Sequence, residues 1–273
     1  MIHWNIDPEL FSFGFIHIRY YSLMFIISFG LGVVLMKKFF RLEGMEPLDV
    51  DDLLMYMMGG TIIGARLGHV LFYSPAYYFS HPLEILMVWK GGLASHGAAI
   101  GILLALWLFS KKKGYDYLWT VDRIVIVVAL AGGFIRLGNL FNSEIVGAPT
   151  DVPWAFIFER LDNIPRHPTQ IYESLAYFTI FFLLYRIYMK QKSQLARGYL
   201  LGLFLVLVFG FRFFVEFFKE VQEPFERGLP LDMGQILSIP AVLGGLYLMM
   251  TAGKRPPARH RVKRAKAKKN KPG

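Results

Sequence analysis

The sequence predicts an all-α polytopic membrane protein of seven transmembrane helices, with the N-terminus outside and the C-terminus cytoplasmic. Three observations lead there. Hydrophobic residues make up 55% of the 273 residues and charged residues only 18%. Several apolar stretches approach the roughly 20 residues that a helix needs to cross a bilayer. Lys and Arg recur in alternate short loops, as the positive-inside rule requires.

The first span, 17–37, opens on IRYYSLMF and runs into Lys37, Lys38 and Arg41. The second, 53–73, carries Arg66 and His69 near its far end. A segment at 83–90 (LEILMVWK) is too short to cross and reads as interfacial or re-entrant, and Gly91-Gly92 breaks the chain before the third span, 92–110. Lys111, Lys112 and Lys113 close that span. The fourth, 119–142, holds the apolar run IVIVVALA and then turns polar. The fifth, 170–189, is separated from the sixth, 199–218, by Lys190, Lys192 and Arg197. The seventh, 234–251, leads into a heavily basic tail. These basic ends fall on one side of a membrane only if there are seven spans and the N-terminus is outside. The loop 219–233 runs against the pattern through Lys219 and Arg227, which acidic residues accompany. MIHWNIDPEL has no basic stretch ahead of a short apolar core, so no cleavable signal peptide is expected and the first span should be retained.

Residues 1–252 are thus expected to form one transmembrane domain, and 253–273 a disordered cytoplasmic tail. The formal net charge of +10 lies wholly in that tail: 254–273 contain ten Lys or Arg and no acid. Its bland role is a topology anchor near anionic headgroups. No aromatic residue interleaves the charges, so no nucleic-acid partner is expected. There is no cysteine, which excludes structural disulfides and thiolate catalysis by this chain. The seven histidines show neither HxxxH nor HExxH spacing, so neither a metal nor another cofactor is expected.

Polar residues inside apolar helices are expensive and need a reason. Arg136 falls roughly 25 Å along the fourth span from its inner end. Asn139 lies one turn further on the same face, Asn142 one turn beyond, and Glu144 at the boundary. The sixth span is featureless until Arg212 and Glu216, again in its outer half. Arg66 and His69, Tyr20 and Tyr21, and His96 in GGLASHGAAIG take matching depths in the second, first and third spans. Each has a plain structural reading: an intrahelical ion pair, a snorkelling arginine, a satisfied core histidine, an interfacial tyrosine. Their convergence at one depth favours a common site. Asp122 and Arg123, near the inner entry of the fourth span, are the exceptions. Arginine's planar fork suits phosphate oxygens, and the glycines at 91, 92, 97 and 101 allow close helix approach. The residues alone therefore suggest a site for an anionic lipid headgroup opening to the outer leaflet. A retinal-type sensor would need a lysine in the seventh span, which has none, and a transporter built of two halves should show internal repeats, which are not apparent.

Four blocks, GGLASHGAAIG (91–101), RLGNLFNSEIVG (136–147), RHPTQIYE (166–173) and FRFFVEFF (211–218), together resemble the bacterial prolipoprotein diacylglyceryl transferase family. The second block is close to that family's signature and the others follow in the expected order and spacing. The resemblance covers about residues 10–250 and leaves out the tail. It implies an enzyme of the bacterial inner membrane, with its active site toward the periplasmic leaflet. Such an enzyme moves the diacylglyceryl group of phosphatidylglycerol to the thiol of a lipobox cysteine in a preprolipoprotein signal peptide and releases glycerol 1-phosphate, the first step of lipoprotein maturation. The missing nucleophile then comes from the second substrate. The resemblance further implies a small periplasmic head at about 145–169, Arg136 and Arg212 as catalytic residues with His96 as the base or only an orienter of the headgroup, and Tyr21, Asn139, Glu144, Gly147 and Glu216 as substrate-binding residues; Asn142 joins the binding group from its place at the polar end of the fourth span. Arg66 joins the binding group from its place in the polar layer. Lys219 departs from the family pattern, which leads one to expect arginine there, and the loop 148–152 (APTDV) matches no family pattern.

Overall fold

The computed structural model describes residues 1–14, 16–220, 231–256, 258 and 260. Most of the basic tail and residues 221–230 of the loop after the sixth apolar segment, Arg227 included, lie outside the described residues. The chain is predominantly helical. In order it forms β1 (Ile2–Trp4), β2 (Glu9–Phe13), β3 (Ile16–Arg19), α1 (Tyr20–Leu42), α2 (Asp49–Phe72), α3 (Pro75–Ser80), α4 (Ser95–Lys113), α5 (Tyr117–Phe141), β4 (Phe156–Phe158), β5 (Pro165–Arg166), α6 (Thr169–Gln191), α7 (Tyr199–Val215) and α8 (Met233–Thr251). Among the described residues seven long helices lie where the sequence places its seven apolar segments, with ends shifted by a few residues. Four of them, α1, α5, α7 with its 3₁₀ extension, and α8, are long and apolar enough to cross a membrane. The segment expected to be interfacial folds as two 3₁₀ turns, Pro82–Leu86 and Val88–Lys90, with Leu83, Leu86 and Trp89 exposed.

Two compact units divide the chain, the boundary passing through α1 and α5: residues 1–35 with 122–257, and residues 36–121 with 258–273. In the second unit α2 and α4 pack glycine on glycine. A Cβ at Gly60 would lie 2.6 Å from the Gly101 carbonyl oxygen, one at Gly64 2.8 Å from Gly101 Cα, and one at Gly68 2.7 Å from Gly97 Cα. Small residues four apart let two backbones touch where lipid provides no hydrophobic drive for helix association. The acidic first turn of α2 then collects cations: Lys37 lies 2.7 Å from Asp51, and Lys113 2.7 Å from Asp49 and also against Asp52. At the other end of α2, Arg66 is 3% exposed. Its Nε donates to the Ile85 carbonyl at 3.0 Å, Nη1 to those of Gly91 and Gly92 at 2.5 and 3.2 Å, and Nη2 to that of Glu84 at 2.5 Å. The guanidinium also sits over the Tyr78 ring, 4.8 Å from its centroid. Arg66 therefore holds the 82–92 connection in place.

In the first unit Asp122, fully buried, accepts from the backbone N–H groups of Gly198 and Leu201 at 2.6 and 2.8 Å. It thus caps the N-terminus of α7, where free amides and the helix dipole favour a negative charge. Its neighbour Arg123 donates to the Lys192 carbonyl at 3.4 Å and lies over Tyr188. The two inner-end exceptions in the sequence hold a helix connection together. Gly132 and Gly133 bring α6 onto α5, where added Cβ atoms would meet the rings of Tyr177 at 2.9 Å and Phe178 at 2.6 Å, and Ser174 Oγ donates to the Gly133 carbonyl at 3.0 Å.

The head is built on a small sheet that the sequence does not announce: β1 pairs parallel with β4, and β4 antiparallel with β5. Phe156 and Phe158 pack with Leu140 and Val146, and Trp4 closes that core while its indole N–H donates to the Leu140 carbonyl at 3.1 Å. The N-terminal strand is thus part of the head, beyond the 145–169 expected from sequence.

The glycine contact yields a stability prediction. Leucine at Gly64 should force α2 and α4 apart and cost about 1–3 kcal/mol. Leucine at Gly59, where an added Cβ meets nothing within 4 Å, should be tolerated. Thermal unfolding of both variants in the same detergent checks this, and equal melting temperatures would contradict it.

Candidate active site

The polar end of α5 leads into a connected set of side chains in the first unit. Arg136 Nη1 donates to Asn139 Oδ1 at 3.4 Å, Asn139 Nδ2 to Glu144 Oε2 at 3.4 Å, and Asn142 Nδ2 to Glu144 Oε1 at 3.2 Å. These residues come together because α5 places them at successive turns and then ends. Beyond Phe141 the chain reverses through Ser143 and Ile145, both at φ +54°. Left-handed backbone is costly for a β-branched residue. Tertiary bonds hold the turn: Gln170 Nε2 donates to the Glu144 carbonyl at 2.7 Å, and Thr169 Oγ1 to that of Ile145 at 3.2 Å.

On its other side Arg136 meets a residue that the sequence reading left without a role. Glu173 of α6 has a side chain only 2% exposed, and its Oε2 lies 3.1 Å from Arg136 Nε. Its Oε1 accepts from Lys219 Nζ at 3.1 Å, and the same Nζ reaches Glu216 Oε2 at 2.9 Å. The route Arg136–Glu173–Lys219–Glu216 links α5 and α6 to the end of α7. A carboxylate inside an apolar helix was the available signal for Glu173, but it stands in the first turns of its span, where an interfacial position explains it equally well.

The Arg212–Glu216 pair suggested by their i, i+4 spacing does not form. Val215 is the last α-helical residue, and the next turn is 3₁₀. Glu216 turns to Lys219 and packs on Gly234, where an added Cβ would lie 2.5 Å from Oε1. Among the described residues Arg212 makes no ion pair, and its Nε is buried without a hydrogen-bond partner. Tyr177 of α6 is within electrostatic reach of both Arg136 and Arg212. Three cations, Arg136, Lys219 and Arg212, thus accompany Glu173, which is buried, and Glu216, which is half-buried. Tyr21 packs edge-on to α5, with its Cδ2 2.7 Å from where a Cβ on Gly138 would be, and Tyr20 stacks on Phe141 with centroids 4.4 Å apart.

Gly147 has a steric reason to be glycine. It lies between two strands of backbone, its N–H donating to the His167 carbonyl at 3.0 Å, while Ala148 N–H donates to that of Phe218 at 2.8 Å. A Cβ there would lie 2.6 Å from His167 Cβ and 2.8 Å from the Phe218 oxygen. Arg166 secures the same crossing: Nη1 reaches the Gly147 carbonyl at 3.3 Å and Glu220 at 2.8 Å, and Nη2 reaches Asp162 at 2.6 Å. The Arg166 guanidinium holds the Asp162 carboxyl below its ordinary range. That contribution to stability is complete above the carboxyl's ordinary titration and is lost as pH falls through the lowered value. Burial alone pushes the neighbouring His167 imidazole below its usual range.

Two of the residues singled out from the sequence belong to the second unit. His96 is the second residue of α4 and is exposed. Its ring stacks on Tyr73 at 5.8 Å and meets Phe72 edge-on at 5.4 Å. Arg66, grouped by sequence with the binding residues, has each of its three nitrogens engaged by a backbone carbonyl.

The profile of the prolipoprotein diacylglyceryl transferase family matches residues 8–251. Proteins named phosphatidylglycerol–prolipoprotein diacylglyceryl transferase are similar over nearly their whole length. That of Tolumonas auensis is 48% identical over 93% of this chain and 98% of its own, and that of Chloroherpeton thalassium 51% over 93% and 95%. The relative from Bacteroides fragilis is 44% identical over 93% and 96%. With the match running through α5, α6 and α7, which carry the buried network, the chain belongs to the prolipoprotein diacylglyceryl transferase family.

Proposed function

We propose that this protein transfers the diacylglyceryl group of phosphatidylglycerol to the thiol of the lipobox cysteine in preprolipoprotein signal peptides, releasing glycerol 1-phosphate. The observation that carries the reading is the Arg212 guanidinium, which makes no ion pair among the described residues and whose Nε is buried without a hydrogen-bond partner, while Glu173 forms ion pairs with Arg136 and Lys219, and Glu216 with Lys219. Arg212 is half-buried, and a cation partly withdrawn from water favours a counter-charge; a phosphate diester would supply it. Arg136 and Arg212 would grip its oxygens.

In the reaction, the acceptor sulfur as thiolate attacks the glyceryl carbon that bears the phosphate ester. The S–C bond forms, the C–O bond breaks, and the electron pair leaves with the phosphate of glycerol 1-phosphate. The two guanidiniums would offset the charge that develops on that oxygen. A thiol with a free pKa near 8.5 must first lose its proton. His96 is the candidate acceptor for it, a role that rests on the motif GGLASHGAAIG. Asn139, Asn142 and Glu144 would order the polar end of the lipid.

The same reading places the chain in the bacterial inner membrane as seven spans, N-terminus outside and site toward the periplasmic leaflet. The alternation of basic loops supports it. So does the pairing of Lys37 and Lys113 with the acid-rich start of α2, since it puts three expected cytoplasmic ends together.

Purified protein should add a diacylglyceryl mass to a lipobox peptide when phosphatidylglycerol is present and the peptide cysteine is intact. An unmodified peptide, read by mass spectrometry with folded protein, would sink the activity. Arg136→Lys and Arg212→Lys keep the charge but lose the fork. Each should slow transfer about a hundredfold, the size of one lost contact at developing charge. Near-normal rates in both would show the arginines to be anchors. His96→Gln tests the base: a glutamine cannot take a proton, so a loss of roughly a hundredfold is expected. A small loss, unchanged as pH is raised, would leave His96 only an orienting role.

A further inference from the structure

We infer that Glu173 is a positioning residue for the transfer reaction, acting through Arg136. The inference rests on the reading of Arg136 as half of a phosphate clamp and adds what gives that clamp its direction.

Glu173 is the fifth residue of α6, and its side chain is almost wholly removed from solvent. A carboxylate so placed is retained only where cations meet it, and two do: Arg136 Nε at 3.1 Å from Oε2 and Lys219 Nζ at 3.1 Å from Oε1. The Arg136 contact falls on the Nε side of the guanidinium, while Asn139 accepts from Nη1. The contact is an ion pair without a hydrogen bond, since Oε2 is buried with no hydrogen-bond partner; together with Asn139 on Nη1 it biases the plane of the fork and so the direction of the remaining N–H groups. Arginine otherwise has a large rotamer freedom to lose on binding phosphate, so a fork held in advance loses less when the ligand arrives.

The placement of the carboxylate is itself fixed. Gly132 and Gly133 admit the rings of Tyr177 and Phe178 against α5, and Ser174, the next residue after Glu173, hydrogen-bonds across to the Gly133 carbonyl. The helix pair therefore cannot slide without losing those contacts, and Arg136 stands one turn beyond the two glycines. Lys219 has a second partner in Glu216 and does not depend on Glu173 alone for its charge balance. Arg136 has Glu173 as its only ion-pair partner among the described residues.

Glu173→Gln keeps the shape of the side chain and removes the charge. It should lower kcat for phosphatidylglycerol roughly tenfold to a hundredfold, the scale of a misdirected catalytic group, with a smaller change in KM. A structural role alone would lower the melting temperature and the amount of folded enzyme but leave kcat per folded molecule in place. The decisive measurement is a double-mutant cycle with Arg136→Lys, since residues that act as a unit are not additive. If Glu173 acts through Arg136, the double variant is as slow as Arg136→Lys alone, within about twofold. Independent losses that multiply would overturn the inference. So would a near-normal Glu173→Gln beside a slow Arg136→Lys, which leaves the clamp standing and removes only Glu173 from it. A near-normal Arg136→Lys would instead remove the clamp, and this inference with it. Should Glu173→Gln fail to fold, Glu173→Asp, which keeps the charge but draws the carboxylate back, carries the same cycle and should show a smaller loss that vanishes in the Arg136→Lys background.

Discussion

The buried contact of Glu173 with Arg136 and Lys219 is the interaction on which the rest of the first unit depends. Each charge would be prohibitive by itself in an apolar setting, and together they are tolerable only with close geometry. That geometry requires α5 and α6 to approach to glycine distance and the end of α7 to bring Lys219 back toward α6. Gly132 and Gly133 provide the first condition. The change from α to 3₁₀ at Glu216 and the backbone bonds from Ala148 to Phe218 provide the second. Arg212 is left without an ion pair among the described residues.

The segment between α5 and α6 backs this arrangement. Gly147 can lie between His167 and Phe218 only because it has no side chain, and Arg166 ties the crossing to Asp162 and Glu220. The strained turn at Ser143 and Ile145 puts Asn142 and Glu144 back over the end of α5. Such strain persists where its surroundings over-determine it, and here the bonds from Thr169 and Gln170 do so. The second unit follows the same economy of glycine contacts, α2 on α4, with Arg66 binding the following connection through carbonyls.

Family membership and the network bear on one another. The block RLGNLFNSEIVG carries most of the recognisable signature, and it is also the stretch in which a long apolar helix stops and becomes a polar turn. Lys219, where arginine was expected, keeps the charge that Glu173 and Glu216 need. A single compact ammonium meets two carboxylates there without a fork.

The positions of the long helices and the polar end of α5, with Arg136, Asn139 and Glu144 on it, were legible in the amino-acid order, because apolar run length and loop charge are local signals. The family was legible for the same reason, in short contiguous blocks. The partner of Arg136 was not: Glu173 is 37 positions away in sequence, and nothing local distinguishes a bridging carboxylate from an interfacial one. Nor was the break at Glu216 that parts it from Arg212, the division of the chain into two units, or the use of Arg66 as a clasp for its own loop. The joining of β1 to β4 across some 150 residues was hidden as well. A parallel pairing of short strands has no turn to mark it and leaves no periodic trace in either segment. Composition and periodicity say which residues must be buried, while the contacts between distant segments choose what each is buried against.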